Sequence, residues 1–250
     1  MYKFFVEDNQ INENRVTIIG EDVNHIKNVL RLEVEEEICI CNKETSISFL
    51  CKIIELSNDL VICEIVEEIK DTTESNTYIH IFQGLPKSDK LEFIIEKCTE
   101  IGVKEITPVI MKRSIVKLEE KDKVKKLNRW QKIAEVAAKQ SKRDKIPTVH
   151  CVVNLKNIYE KIEKYDIVIV AYEEESQTSI KQVLKTLEKN KQKNIAILVG
   201  PEGGISKEEI EFLKTLPNTK TVTLGKRILR TETAPLVLAS VIMYEFNEMG

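Results

Sequence analysis

No run of 18 apolar residues occurs in these 250 residues, which excludes a membrane-spanning helix. Histidine is scarce, and His25, His80 and His150 stand far apart in the sequence. No C-x-x-C pair accompanies them, so the six cysteines, Cys39, Cys41, Cys51, Cys63, Cys98 and Cys151, lack a structural-zinc pattern. They read as buried, reduced thiols, with Cys39 and Cys41 on one side of a strand. Neither G-x-G-x-x-G nor G-K-[ST] occurs, so the dinucleotide fingerprint and the phosphate-cradle loop are both missing. The opening residues reach Glu7 and Asp8 after one short apolar patch, too short for a signal peptide's apolar core. The expected location is therefore cytoplasmic. A chain of this length typically buries about 70–75% of its unfolded surface, enough for a core without staples.

Glycine is also sparse, eight residues in all, yet three of them fall within Gly200-Pro-Glu-Gly-Gly204. The net charge of −3 hides strong segregation. Residues 1–70 carry 7 Lys/Arg against 15 Asp/Glu, a balance of −8, whereas residues 112–145 carry 13 against 5, a balance of +8. A basic stretch of this density in an acidic protein reads either as a polyanion surface or as a solvated helix face.

Residues 1–70 read as mostly β: short apolar or β-branched runs at Phe4–Val6, Val16–Ile19, Glu37–Cys41, Ile47–Ile54 and Leu60–Val66 suggest a small barrel. One helix is predicted at Asp22–Arg31. Lys70–Thr77 is polar and aperiodic, so the domain boundary is set at 72/73. From Tyr78 the pattern alternates. Strands are predicted at Tyr78–Gln83, Glu105–Ile110, Ile167–Ala171, Ile195–Val199 and Thr221–Leu224. Helices are predicted at Ser88–Ile101, Asp122–Lys142, Asn154–Lys164, Ser179–Glu188, Ser206–Leu216 and Thr233–Phe246. Strands spaced by helices imply a parallel sheet covered on both faces.

Two stretches carry the candidate site. In the first, the apolar strand Ile195–Val199 runs into Gly200–Gly204, and Ser206 with Glu209 forms a capping box that starts the next helix. Alone, this loop reads as readily as a tight turn. The second, Leu224-Gly-Lys-Arg-Ile-Leu-Arg-Thr-Glu-Thr233, alternates polar and apolar groups that suit an adenine-sized slot. The apolar helix after it must be buried against the sheet, another subunit or both. Loops at the carboxyl ends of parallel strands are where open α/β sheets bind ligands.

At this point the sequence resembles a known family, the ribosomal-RNA uridine-N3 methyltransferases of the SPOUT (trefoil-knot) class, the RsmE type. The matching stretches are His25–Arg31, Gln83–Glu92, Cys98–Val103, Arg113–Lys117, Arg129–Ala134, Ala137–Arg143, Val199–Gly204 and Leu224–Leu236, in order and over nearly the whole chain. The resemblance implies a PUA-like β-barrel RNA-binding domain at 1–72. It implies a SPOUT α/β methyltransferase domain at 73–250, whose last segment threads a knot. It also implies a homodimer and a role in rRNA processing during ribosome biogenesis, with 16S rRNA or the small subunit as partner.

The implied reaction is S-adenosyl-L-methionine-dependent methylation of N3 of one uridine, with no metal. The cofactor contacts implied are Leu198, Val199, Gly200, Glu202, Gly203, Leu224, Gly225, Ile228, Leu229, Arg230 and Thr231. Arg230 is the expected stabiliser of the uridinate, and Glu232 its orienter or the base; for both, a loop-closing salt bridge is the plain alternative. Phosphate contacts are expected from Arg31, Lys112, Arg113, Arg129, Lys139, Lys142 and Arg143. Lys87 and Lys90, at the start of a nearby helix, are candidates to join them. Two other readings compete: a non-catalytic RNA- or ribosome-binding protein, and a nucleotide-phosphate enzyme. The second is weakened by the missing phosphate-loop lysine.

Overall fold

The computed structural model describes residues 1–116, 118–188 and 192–249. The chain divides into two compact units, Met1–Glu74 with Ala138–Ile146, and Ser75–Ala137 with Pro147–Gly250. The first break falls two residues beyond the expected 72/73. The second corrects that expectation, because residues 138–146 return to the first unit. The reasons are apolar packing of Ala138 and Ile146 with Phe5 and Cys41 and a set of buried polar contacts. The Asp144 side chain is buried and accepts hydrogen bonds from Lys3, from Ser48 and from the Thr73 backbone N–H. Beside it, the Arg143 guanidinium pairs with Glu74 at 2.8 Å.

In the first unit the strands are β1 (Lys3–Val6), β2 (Ile11–Asn12), β3 (Arg15–Ile19), β4 (Glu37–Asn42), β5 (Ser48–Leu56) and β6 (Leu60–Ile69). They form one sheet in the order β1-β4-β5-β6-β3-β2, antiparallel except for the parallel pair β1–β4. Phe4 and Val6 of β1 share a buried cluster with Val16 and Ile18 of β3, although three strands lie between them in that order. Such contact requires the sheet to curl on itself. Register shifts in the β5–β6 pair at Leu50/Cys51 and Ile53/Glu55 supply bends that help it do so. The expected helix at Asp22–Arg31 is only a short turn, α1 (Glu21–Asn24), followed by a π-turn at His25–Val29.

The second unit holds β7 (Tyr78–Gly84), α2 (Lys90–Ile101), β8 (Glu105–Ile110), α3 (Glu120–Gln140), β9 (Thr148–Val149) and β10 (Val153–Asn154). These are followed by α4 (Tyr159–Ile162), β11 (Ile167–Ala171), α5 (Ile180–Leu184), β12 (Asn194–Val199), α6 (Lys207–Lys214), β13 (Thr219–Val222) and α7 (Thr233–Glu245). The last three residues of α3 lie in the first unit. The sheet is parallel, ordered β10-β8-β7-β12-β11-β13, with β9 beside β8. One face is covered by Leu155, Ile158 and Ile162 and by Ile210 and Leu213 of α6. On the opposite side α7 packs on α2 and also meets β12 and β7. The expected helix at Asn154–Lys164 opens instead as a 3-10 turn, Leu155–Ile158, ahead of α4.

This topology has one consequence for the site. Strand β13 lies at the edge beside β11, yet the next helix packs against β12 and β7 in the sheet's interior. Residues 223–232 must therefore travel back past the loop that leaves β12. Gly84 ends β7 at that crossing, where an added Cβ would stand 2.5 Å from the nitrogen of Pro201. No helix among the described residues is long and apolar enough to cross a membrane.

Candidate active site

A cavity of ≈ 510 Å³ opens at the carboxyl ends of β11, β12 and β13. Ala171–Glu173 form one side, Val199–Gly204 the second and Val222–Thr231 the third, with Lys90 and Ala234 completing the lining. The first two walls follow directly from the buried apolar strands β11 and β12, and the third from the short edge strand β13, of which only Val222 is buried. Gly204 takes a left-handed φ of +71° and lies against the Glu173 carboxylate, so that a side chain here would be strained and would collide with it.

Hydrogen bonds tie these walls together. The Thr231 hydroxyl donates to the Gly200 carbonyl at 2.7 Å, and the Gln83 side-chain amide donates to Thr231 Oγ1 at 3.0 Å. Glu202 Oε1 accepts the Lys87 backbone N–H at 3.0 Å. From the first turn of α2, Lys90 Nζ lies 3.3 Å from Glu202 Oε1 and 3.1 Å from Glu232 Oε2. Burial alone would raise the Glu232 carboxyl pKa. Its own backbone N–H, the Lys90 ammonium and Arg230 more than offset that and hold it below the usual range. For Glu202, likewise, burial is outweighed by its own and the Lys87 N–H groups and by Lys90. The salt-bridge alternative for Glu232 is thus realised, with Lys90 rather than Arg230 as its partner. Arg230 is exposed and lines the cavity.

Ten of the eleven expected cofactor residues line this cavity. Leu198 does not: strand alternation turns its side chain into the core with Phe82 and Ile205. Sequence reasoning missed Ala171, Tyr172 and Glu173, which lack any glycine or basic motif. Their signal was positional, the end of an apolar strand that pairs with β12 along its whole length.

The expected phosphate contacts divide between the two units. In the second, Lys112, Arg113 and Arg129 are exposed, with Arg113 donating to the Gly203 carbonyl at 2.9 Å and Arg129 pairing with Glu92 at 2.7 Å. In the first, Arg31 and Lys142 are exposed. Arg143 is corrected: it is 4% exposed and held by Glu74, which removes it from any RNA surface. Lys139 is corrected too, for its ammonium sits 2.9 Å from both carboxylate oxygens of Asp22. Lys117 lies outside the described residues.

Two histidines that are distant in sequence meet in the fold. Glu105 Oε2 stands 3.0 Å from His80 Nδ1 and 2.7 Å from His150 Nε2, and the two rings stack at 5.4 Å. Donor atoms of all three residues lie within 4.8 Å, a spacing that a metal ion can use. The carboxylate, however, also accepts hydrogen bonds from Tyr78 and Lys164, and the Lys164 ammonium opposes a second cation. Five of the six cysteines are buried, as expected, whereas Cys151 is exposed.

Comparison with known proteins agrees with this geometry. A family model described as an RNA methyltransferase domain matches residues 73–243, and one described as an RNA methyltransferase PUA domain matches residues 18–66. Ribosomal RNA small subunit methyltransferase E of Bacillus subtilis (strain 168) is 38% identical over 98% of this chain and 97% of its own length. The protein of that name from Mesomycoplasma hyopneumoniae (strain 232) is 35% identical over 95% of this chain and 97% of its own. The crystal structure of ribosomal RNA small subunit methyltransferase E from Neisseria gonorrhoeae, bound to S-adenosyl methionine, superposes with a TM-score of 0.84 at 29% identity, covering 97% of each chain.

Proposed function

The chain belongs to the RNA methyltransferase family of the small-subunit methyltransferase E type, with the SPOUT fold and a PUA domain, and from that premise we propose that it methylates N3 of one uridine in 16S rRNA with S-adenosyl-L-methionine. The observation that carries this reading is the cavity itself. Two separate loops close on each other there, with Arg230 and two carboxylates, Glu173 and Glu202, in its lining and Glu232 paired with the lining Lys90.

The residues present fit this cofactor. Val199, Val222, Ala171 and Ala234 give an apolar floor, and Ile228, 86% exposed, offers an apolar face at the rim for a base ring. The lining sets Glu173 and Glu202 among Lys90, Lys226, Arg227 and Arg230, a mixed charge that suits a ligand carrying a sulfonium, an ammonium and a carboxylate. When bound, S-adenosyl-L-methionine supplies a methyl group already activated by the positive sulfur.

The protein's share of the work is then alignment and charge. Holding the uridine ring against the donor removes much of the entropic barrier, worth several kcal/mol in well-oriented systems. N3 must lose its proton before it can attack. Arg230 is suited to stabilise the resulting uridinate, since a guanidinium presents planar, directed donors and stays charged. Glu232, held ionised by Lys90, fits the role of orienter better than that of base, because a lowered pKa weakens its pull on a proton.

Lys112, Arg113 and Arg129 supply phosphate contacts on the catalytic unit, and Arg31 and Lys142 do so on the first. A second copy of the chain covers the outer side of α7 and α2, where Tyr244 and Phe93 are exposed. The test is transfer of labelled methyl groups to small subunits or 16S rRNA, followed by nucleoside mass analysis. The expected product is 3-methyluridine, lost in Arg230→Ala. No incorporation, alongside RNA affinity unchanged by Gly200→Val, would leave a non-catalytic RNA-binding protein instead.

A further inference from the structure

Lys90 pairs with no neighbour on its own helix but with two carboxylates from elsewhere in the chain. It is the first residue of α2, one-third exposed, and its ammonium reaches across the mouth of the cavity to a carboxylate on each of two walls. Glu202 belongs to the loop leaving β12, and Glu232 to the segment returning from β13. These walls come from different parts of the chain and are not joined by any continuous element at this point. The Lys87 N–H on Glu202 anchors the same turn to the first wall. Upstream, Ser88 holds a left-handed φ of +53°, uncommon for a residue with a side chain, so that the turn is shaped to deliver α2 here.

We propose that Lys90 is a positioning residue for methyl transfer: its ammonium clamps Glu202 and Glu232 together, setting the spacing of the two walls and the place of Glu232 beside Arg230. The inference rests on the methyltransferase reading of this cavity.

Two consequences follow from the geometry. Without the ammonium, two carboxylates face each other across a gap of no more than 6.4 Å, the sum of the two ion-pair distances. Their repulsion opens the mouth. The same two charges also confront the uridinate, whose negative charge grows as N3 loses its proton. Lys90 offsets that repulsion through Glu202 and Glu232, without itself touching the base. A phosphate-binding lysine behaves differently, since its loss weakens RNA binding and leaves the chemical step alone.

The test compares full-length wild type, Lys90→Met and Lys90→Arg in steady-state methyl transfer, with a ¹³C carboxyl titration of Glu232 in each. Lys90→Met is expected to lower kcat at least about tenfold while KM for RNA changes less than about threefold. Lys90→Arg, which keeps the charge and the reach, should recover kcat to within about threefold of wild type. The Glu232 titration midpoint should rise in Lys90→Met alone. Unchanged kcat in Lys90→Met, a raised KM with normal kcat, or a Lys90→Arg variant as impaired as Lys90→Met each overturns the clamp. A wild-type protein that transfers no methyl group overturns the functional reading instead. The Glu232 titration then decides the clamp by itself, and a midpoint unmoved in Lys90→Met rejects it.

Discussion

The hydroxyl of Thr231 donates to the carbonyl oxygen of Gly200 at 2.7 Å. Thirty-one residues separate the two, and the bond closes the crossing between the β12 loop and the returning segment. Gln83, from the end of β7, adds the third strand to this junction through its amide. Thr231 is 7% exposed, so its partners have little recourse to water if it is lost. Thr231→Val keeps the shape and removes the bonds. It should cost about 1–3 kcal/mol, the usual penalty for stranding buried polar groups. Urea unfolding measures that loss, and calorimetry should show weaker S-adenosyl-L-methionine binding in the same variant.

Gly84→Ala probes the crossing from below. An added methyl stands 2.5 Å from Pro201 N and 2.8 Å from Gly200 C, both backbone atoms that cannot swing aside. Overpacking of this kind costs about 1–3 kcal/mol. The displaced loop should lower cofactor affinity by at least about tenfold. Gly20→Ala is the contrasting control, since Gly20 has a φ of +75°, which Gly84 does not share, and meets nothing within 4 Å. Equal cofactor affinity in the two variants would contradict the close approach.

Asp144 makes the first unit acid-sensitive. Burial would raise its carboxyl pKa, but Lys3, Ser48 and the Thr73 N–H outweigh this and bring it from 3.8 to about 2. A depressed carboxylate stabilises fully above its unfolded pKa and loses that contribution as pH falls through the folded value. A shift of this size corresponds to about 2 kcal/mol, fading between pH 3.8 and about 2. Asp144→Asn should therefore be destabilised at pH 7 and approach wild type near pH 2 in denaturant unfolding.

His80 gives a second acid limb at milder pH. Burial, then the charges of His150, Lys164 and Lys161, push its pKa well below 6.5, so that the native ring stays neutral. Below about pH 6.5 the unfolded chain takes up a proton that the native state refuses, and stability falls. His80→Asn should flatten this slope between pH 6.5 and 5. A slope that persists in the variant would assign it to another group.

Arg230→Lys separates charge from geometry. An ammonium preserves the positive charge but loses the planar fork. We expect Arg230→Lys to remain at least about a hundredfold below wild type in kcat, with cofactor affinity reduced far less. Near-wild-type turnover would show that a point charge suffices.

Much was legible in the sequence because it depends on local chemistry. Strand Glu105–Ile110 and the start of α7 at Thr233 follow from apolar runs and a proline in the first turn. The Ser206–Glu209 capping box was readable from four residues and is present as read. Both pocket loops were visible as well, since glycines and charged residues follow directly on a predicted strand in each case. What the sequence hid depends on partners far along the chain. Arg143 looked like a phosphate contact until Glu74 closed over it, and Leu198 shared a strand with Val199 but not its face.

Local chemistry laid down the two kinds of unit, the parallel sheet and two of the loops that wall the cavity, because hydrophobic period and turn chemistry act over a few residues. Long-range contacts in the fold return residues 138–146 to the first unit, bring Glu173 to the pocket and set Lys90 between Glu202 and Glu232. Ion pairs and close approaches form between residues tens to more than a hundred positions apart. Nothing in local spacing records which charge will meet which.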